Sequence, residues 1–335
     1  MTTSEILAAF PKMSALVVGD VCLDRWCTYD PSLSEPSRET GIPRTGVVRT
    51  EVTPGAAGTV ANNLVALGVG RVAVLGAIGD DGFGEELFRA LNARGISSNL
   101  CIRTESIQTF TYTKVINSLT GVEDKPRLDF VNTTPLDESV EQEIIGRLRR
   151  QLTGFDVILI SDQAETTQGG IVTAAVRSAL SGLAFANPEK VILADSRARL
   201  DLFRGMSIKA NREETEAACR KASGNTDYTA LLRHTQSNRL FVTHAGEGVM
   251  VVDEAGERWV KTRPVENPVD ICGAGDSFSA GAAMSLAVTR SAERAAAFGN
   301  LVASITIMKK GTGTATPEEV LVQESAGDVY QRNTS

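Results

Sequence analysis

The chain has 335 residues and carries 34 basic against 41 acidic side chains, a net charge of −7. Because it has no basic block, this balance excludes a nucleic-acid binder that gains its affinity by neutralising phosphates, and it favours a small-molecule partner. The chain has five scattered cysteines, which predict reduced thiols in the cytoplasm. It has only two histidines, too few for a histidine-based metal site. We expect no signal peptide and no membrane span, because no long apolar run follows a basic flank or reaches membrane length.

A buried strand over residues 15–19 opens the pattern, and Asp20 and Asp24 follow at its carboxyl end, where parallel α/β sheets bind ligands. Residues 25–53 are polar and too long for a plain connection, which predicts a lid, an insertion or a mobile loop with short strands. Residues 54–58 are mostly small. They would allow a ligand to approach the start of the following helix, or equally allow that helix to pack closely against a strand. The next predicted elements are a helix over 59–67, a strand over 71–78 and a helix over 84–94.

Alternating residues over 101–131 predict antiparallel strands that interrupt the strand–helix rhythm. Together with the segment before Pro54, we expect them to form one small sheet beside the main domain. The rhythm then returns, which predicts one large α/β domain. The elements are helices over 138–152 and 170–183, strands over 157–160, 191–195 and 208–211, a helix starting at 212, strands over 240–243 and 248–252, and a helix over 292–308.

Residues 268–281 are the stretch that carries the most chemistry. Gly273 and Gly275 flank Ala274 in a turn, and the small and apolar residues that follow predict a buried helix starting at or just before Asp276. The free amides and the dipole at a helix start can hold a phosphate. A carboxylate there would repel the phosphate unless it takes a proton from an attacking hydroxyl. The residues alone also allow a plain glycine turn with Asp276 as a helix cap.

Three separated segments resemble the ribokinase/PfkB carbohydrate kinases over about residues 14–320. They are PGAAGTVANNLVALG at 54–68, KANREE at 209–214 and DICGAGD at 270–276. The pieces GDVCLDRW, TYTKVI, RLDF and GTGTATPEEV are further similar to the sugar-kinase half of bacterial ADP-heptose synthases, which phosphorylates a heptose 7-phosphate. The resemblance implies a ribokinase-like α/β fold, a central mostly parallel sheet flanked by helices with a small β-sheet lid. The kinase domain would span 1–320, with the lid built from about 25–53 and 105–132, and 321–335 would form a C-terminal tail.

The resemblance implies ATP-dependent phosphoryl transfer to a hydroxyl, with Asp276 as the base. The amides of Gly273, Ala274 and Gly275 would stabilise the transferred group. Asn211 and Glu214 match a motif that organises Mg²⁺ and its waters around ATP; from the residues alone they are equally well a helix cap and its dipole partner. Further implied residues are Thr243, Gly246, Gly248 and Asn300 for the nucleotide, and Asp270 for a candidate monovalent-cation (K⁺) site.

Sugar contacts are implied for Asp20, Asp24, Gly55, Ala56, Thr59 and Asn63, although a strand-end Asp such as Asp20 is as often a loop cap. The chain departs from the family pattern, because Ala56 replaces a glycine and Thr59 replaces the sugar-binding Asn. Two lysines of the heptose kinases are also missing, from 162–166 and 195–197, where Arg197 or Arg199 could supply charge for a substrate phosphate. We therefore expect an altered substrate specificity beside intact phosphoryl-transfer residues.

Two alternatives stay open at this point: a nucleoside kinase of the same fold, and a sugar- or nucleotide-binding relative without turnover. By resemblance we also expect a homodimer through the lid, whose sheet would otherwise expose unpaired edges. Because no nucleotidyltransferase half follows residue 335, we expect the kinase activity alone.

Overall fold

The structure is a computed structural model that describes residues 1–333 apart from Glu165, Thr167 and Pro264, with backbone only over 326–333. Glu165 belongs to the segment 162–166 discussed above and lies outside the described residues.

Strands and helices alternate along most of the chain. The strands are β1 (Ser14–Gly19), β2 (Val21–Tyr29), β3 (Val47–Ala56), β4 (Arg71–Leu75), β5 (Ala77–Gly79), β6 (Ile102–Thr104), β7 (Thr111–Asn117), β8 (Leu128–Phe130), β9 (Val157–Asp162), β10 (Val191–Ser196), β11 (Ser207–Asn211), β12 (Arg239–Thr243), β13 (Gly248–Asp253) and β14 (Gly256–Lys261). The helices are α1 (Thr3–Ala9), α2 (Ala57–Ala66), α3 (Gly82–Asn92), α4 (Glu138–Gln151), α5 (Ala174–Ala186), α6 (Arg212–Ser223), α7 (Tyr228–His234), α8 (Ala274–Thr289), α9 (Ala292–Thr306) and α10 (Pro317–Asn333).

The central sheet has eight strands in the order β14-β13-β12-β11-β10-β9-β1-β4. It is parallel from β4 to β12, and β13 and β14 add an antiparallel end. Its inner strands are nearly continuous runs of buried apolar residues, as expected when helices cover both faces of a parallel sheet. The predicted α/β class with a mostly parallel sheet is therefore confirmed.

Two hydrophobic clusters fill the two faces of this sheet. One holds residues of α2, α8 and α9, and the other holds residues of α4, α5, α6 and α7. α8 is almost entirely small or apolar and is buried from Ser277 to Leu286, as its sequence predicts. This packing fixes the start of α8 at the carboxyl edge of the sheet.

The second sheet is the predicted lid, with strands in the order β3-β2-β7-β8. β7 and β8 pair antiparallel, as predicted for residues 101–131, while β2 pairs antiparallel with β3 and parallel with β7. β2 also occupies residues that we assigned to an irregular segment. It leaves the main sheet directly after β1, and the lid therefore stands over the carboxyl edge of that sheet.

Other boundaries differ from the predictions for local reasons. The strand predicted over 71–78 breaks after Leu75, and β5 pairs with β6 in a separate two-stranded sheet. The helix predicted from residue 170 starts at Ala174, because the Thr173 hydroxyl accepts the Val176 amide (3.2 Å) as an N-cap. α10 runs across the boundary that we placed at residue 320.

Across the described part of the chain, no helix combines the length and apolar character needed to cross a bilayer. All five cysteines lie within that part and are free thiols.

Candidate active site

Two cavities meet at the carboxyl edge of the central sheet. The large cavity has a volume of about 680 Å³ and lies among the ends of β10, β11 and β12 and the helices α8 and α9. The small cavity, about 160 Å³, lies between the lid and the start of α8. Their walls share Gln163, Arg197, Gly273 and Asp276. Asp276 therefore faces both spaces, as a group acting between two ligands would.

Burial is the main cause of the unusual titration of Asp276. Burial and then the negative charge of Asp195 raise the pKa of this carboxyl, Lys209 opposes the shift, and the resulting pKa is about 7. Asp24, on the wall of the small cavity, acts in the same direction as Asp195. A carboxylate with a pKa near neutrality is well suited to accept a proton.

The turn before Asp276 brings backbone close to the junction of the cavities. Gly273 adopts φ 78°, a conformation that favours glycine, and α8 begins at the next residue. A Cβ at Gly275 would lie 2.9 Å from Lys209 Nζ, so a side chain there would have to displace that ammonium group. The amide of Ala274 donates to the Ile271 carbonyl (3.2 Å). The amides of Gly273 and Gly275 remain the predicted anion cradle.

A buried charged cluster lies beneath this cradle. Lys209 Nζ is 2.7 Å from Asp195 Oδ2, and the Ser279 hydroxyl donates to the same oxygen at 3.1 Å. Burial alone would lower the pKa of Lys209, but the pairing with Asp195 raises it overall, so the amine stays charged. We did not predict this cluster. The one sequence signal was a lysine between the apolar residues Ile208 and Ala210 of a predicted strand.

Asn211 and Glu214 stand together on the wall of the large cavity. The Asn211 side chain accepts the Glu214 amide (2.9 Å), and Glu214 accepts the Asn211 amide (3.0 Å), a reciprocal capping box at the start of α6. Asn211 is therefore the N-cap of α6, as the residues alone allowed. Burial raises the pKa of Glu214.

This pair fits a magnesium ion only as a partial, water-mediated site. Within the described residues, no group of three or more His, Cys, Asp or Glu side chains could enclose a metal. Magnesium bound with nucleotides usually keeps several waters and uses one or two carboxylates besides the phosphates. The Glu214 carboxylate and the Asn211 carbonyl offer oxygen donors of that kind on the cavity wall.

The other residues assigned to the nucleotide also line the large cavity: Thr243, Gly246, Gly248 and Asn300. They come from the β12–β13 turn and from α9, which are far apart in sequence.

Asp24, Ala56 and Thr59 line the small cavity. Burial raises the pKa of Asp24 to about 6. The Thr59 hydroxyl donates to the Pro54 carbonyl (3.3 Å). Gly55 lies behind this wall, where a Cβ would meet Asp24 Oδ1 at 2.5 Å, so glycine allows Asp24 its position.

Three cationic side chains also line the small cavity. Lys114 and Arg127 come from the lid, and Arg197 follows β10. Arg199, our other candidate, instead pairs with buried Asp162, with Nε 3.1 Å from Oδ2. No role for Lys114 or Arg127 was predicted, because only the fold of the lid brings them to the cavity.

Two of the predicted sugar-binding residues, Asp20 and Asn63, lie away from both cavity walls. Asp20 is 3% exposed and accepts the amides of Gln163 (2.8 Å) and Ile171 (2.7 Å), so it anchors the segment after β9. Asn63 is fully buried and donates to the Thr59 carbonyl (3.0 Å). The described structure thus places neither of them in direct reach of a sugar.

Asp270 holds two loops together. Its carboxylate accepts the amides of Cys272 (2.9 Å) and Gly311 (3.1 Å). These bonds account for its position, and the monovalent-cation site remains a prediction.

A profile of the pfkB family carbohydrate kinases matches residues 14–319. The chain belongs to this family. As a pfkB family kinase it has the ribokinase-like fold, which confirms the predicted resemblance and enzyme class.

Among curated relatives, the bifunctional protein HldE of Trichlorobacter lovleyi is 29% identical over 319 residues, covering 93% of this chain and 63% of the relative. This pfkB family chain thus spans less than two thirds of that relative's length.

Among solved structures, Arabidopsis thaliana ribokinase complexed with ribose and ATP aligns with a TM-score of 0.66 and 16% identity, covering 93% of this chain and 98% of that one. Escherichia coli phosphofructokinase-2 in complex with potassium aligns with a TM-score of 0.67 and 18% identity, covering 94% and 99%. At these identities the two alignments show the shared fold.

Proposed function

We propose that this kinase transfers the γ-phosphoryl group of ATP to a hydroxyl of a phosphorylated sugar, with Asp276 as the general base. The observation that carries the proposal is the meeting of a large and a small cavity at Asp276 and Gly273. ATP fits the large cavity in volume, since pockets for ligands of this size span several hundred Å³. A related fold has been solved with ribose and ATP bound.

In the proposed reaction the acceptor hydroxyl lies in the small cavity beside Asp276. Its oxygen forms a bond to the γ-phosphorus, the bond from that phosphorus to the bridging oxygen of ADP breaks, and Asp276 takes the hydroxyl proton. The amides of Gly273 and Gly275, at the positive end of the α8 dipole, stabilise charge on the transferred group. Magnesium, when bound near Asn211 and Glu214, would neutralise phosphate charge.

The cations of the small cavity favour a phosphorylated acceptor over a neutral one. Lys114, Arg127 and Arg197 surround a space that also contains Asp24 and Asp276. A sugar phosphate matches this arrangement, because its hydroxyls suit the carboxylates and its phosphate suits arginine and lysine. The resemblance of the GDVCLDRW, TYTKVI, RLDF and GTGTATPEEV segments to kinases of a heptose 7-phosphate supports such an acceptor.

The test is an ADP-release assay with ATP and Mg²⁺ against free sugars, their phosphates and nucleosides. We expect the highest kcat/KM with a sugar phosphate. Arg127→Met should raise the KM for that acceptor by about tenfold to a hundredfold, the value of a charged hydrogen bond. Arg49→Met is the matched control, because Arg49 lies on the same lid sheet outside both cavity walls. A neutral sugar or nucleoside as the best acceptor, with no effect of Arg127→Met, would contradict the proposed substrate class.

We further infer that two copies pair through the lid. Apolar side chains on its strands are exposed, including Val47, Val48, Leu128 and Phe130 at 40–60%. Burying such a surface in a second copy would remove it from water. Light scattering should give twice the chain mass, and Val48→Lys should reduce it to one chain; a monomer at micromolar concentration contradicts this inference.

A further inference from the structure

The lid contributes an indole ring to the wall of the small cavity. This ring belongs to Trp26 of β2, which is half-buried. Its six-membered part lies against Gly311, where a Cβ would be 3.4 Å from Cζ2, so the main domain as well as the lid fixes the ring. Among the described residues, no aromatic ring or cation packs on this indole. Its surface in the cavity is therefore available to a ligand.

The pairing of the lid strands determines what surrounds Trp26. Asp24 and Trp26 are two residues apart on β2, so their side chains project from the same face of the lid. The parallel strand β7 brings Tyr112 into register with Asp24, and Lys114 into register with Trp26. All four side chains line the small cavity. The indole thus stands beside a cation and about 7 Å along the strand from a carboxylate, the rise of two strand residues.

This arrangement matches the parts of a sugar phosphate in its ring form. A sugar ring has a face of C–H groups, which can pack on an aromatic ring, and an edge of hydroxyls. Asp24 can accept from hydroxyls, and Lys114 can bind a phosphate. Tyr112 is less suited to the C–H face, because the guanidinium carbon of Arg127 already lies 5.2 Å from the centre of its ring.

An open-chain polyol phosphate offers the same hydroxyls and the same phosphate. It must lose the freedom of several rotatable bonds before its C–H groups can lie flat on an aromatic ring, and this ordering costs binding free energy. An indole in the wall therefore discriminates between the two forms of one sugar phosphate, which the charged side chains of the cavity cannot do.

We propose that Trp26 is a specificity-determining residue for the acceptor, whose indole packs on the C–H face of the sugar and selects ring-form sugar phosphates over open-chain alditol phosphates. The inference rests on the proposed function, because it concerns the acceptor of the same site. Trp26 takes no part in making or breaking bonds. Since it binds the ground state and the transition state alike, its loss should raise KM and leave kcat nearly unchanged.

The chain has only two tryptophans, so the contact can be observed directly. Trp259 lies on β14 outside both cavity walls, with its ring centre 4.9 Å from that of His244. Trp259→Phe keeps Trp26 as its one tryptophan, and Trp26→Phe is the matched control that keeps Trp259. Tryptophan emission of both variants is recorded with ADP and Mg²⁺ while glucose 6-phosphate, ribose 5-phosphate or a heptose 7-phosphate is added. The alditol phosphates made from these three by borohydride reduction are titrated in the same way.

We expect at least one of the three sugar phosphates to change the emission of Trp259→Phe saturably, and the emission of Trp26→Phe to stay constant. In the ADP-release assay with that sugar phosphate, Trp26→Leu should raise KM by about tenfold to a hundredfold, as expected when most of a buried aromatic surface is lost. Trp26→Phe should raise KM less, because it keeps a ring. The kcat/KM for the matching alditol phosphate should change much less, so that the preference for the ring form falls.

A merely structural Trp26 would weaken the binding of both forms alike. A sugar phosphate that is turned over but leaves the emission of Trp259→Phe unchanged overturns the proposal, and so does an unchanged ring preference in a folded Trp26→Leu variant. Circular dichroism verifies folding, and the emission experiment needs no substitution of Trp26 if Trp26→Leu does not fold. If the wild type releases ADP with none of the three sugar phosphates, the proposed function itself is wrong, which is a separate readout.

Discussion

Replacing Asp276 by Asn should make the protein more stable while it removes the proposed base. The pKa of Asp276 is raised from 3.8 to about 7, so the folded state disfavours the charged carboxylate. The destabilisation of the folded state by the charged carboxylate is absent below pH 3.8, because the carboxyl is then protonated in both the folded and the unfolded state. It grows as the pH rises towards 7 and stays constant above pH 7. The two pKa values differ by about 3, which at 1.36 kcal/mol per pKa unit sets an upper limit of about 4 kcal/mol. Because Asp276 lines both cavities and is therefore open to solvent screening, we expect a gain of about 1–3 kcal/mol at pH 8.

The assay is urea unfolding of the wild type and Asp276→Asn at pH 8 and at pH 4.5. The difference in free energy of unfolding should be largest at pH 8 and less than half as large at pH 4.5. Asp253→Asn is the control with the opposite sign, because its hydrogen bond from Arg258 lowers the pKa of Asp253. If Asp276→Asn is no more stable than the wild type at pH 8, then Asp276 is not held in an environment that raises its pKa.

Three further outcomes follow from the same structure. The acid limb of kcat/KM should fall tenfold per pH unit below about pH 7, because Asp276 must be ionised to accept a proton; a flat pH–rate profile down to pH 5 would be incompatible with that role. Asp24→Asn should lower kcat/KM for the acceptor by about tenfold to a hundredfold, while ADP affinity measured by calorimetry stays within twofold. An equal loss of kcat/KM and of ADP affinity would contradict a role for Asp24 in acceptor binding alone. Asp20→Ala should lower the free energy of unfolding by about 2–4 kcal/mol in urea, because two buried amides lose their acceptor; an unchanged value would show that Asp20 does not anchor the segment after β9.

Local sequence patterns were sufficient for the parts of the site that are built from consecutive residues. The turn at Gly273 and the start of α8 follow from glycine conformation and helix propensity. Asn211 and Glu214 are three residues apart, the spacing of a capping box, and they form one. The alternating strands and helices likewise indicated the α/β sheet, because each element carries its own periodicity.

The remainder depended on contacts between distant segments. Lys209 meets Asp195 and Ser279 only because β10 and β11 are neighbours and α8 packs across them. The lid cations reach the small cavity because β7 lies parallel to β2, a pairing that alternation alone could not distinguish from an antiparallel one. Asp20 was assigned to the sugar from the family resemblance and its strand-end position, whereas its buried carboxylate accepts two amides of a segment more than a hundred residues away.

The most direct measurement of the central claim is the rate of phosphoryl transfer by Asp276→Asn, with ATP, Mg²⁺ and the acceptor selected by the ADP-release screen. Loss of general-base catalysis predicts a fall in kcat of about two to four orders of magnitude, with Asp253→Asn close to the wild type. A folded Asp276→Asn variant that keeps a near-normal kcat would contradict the assignment of Asp276 as the base.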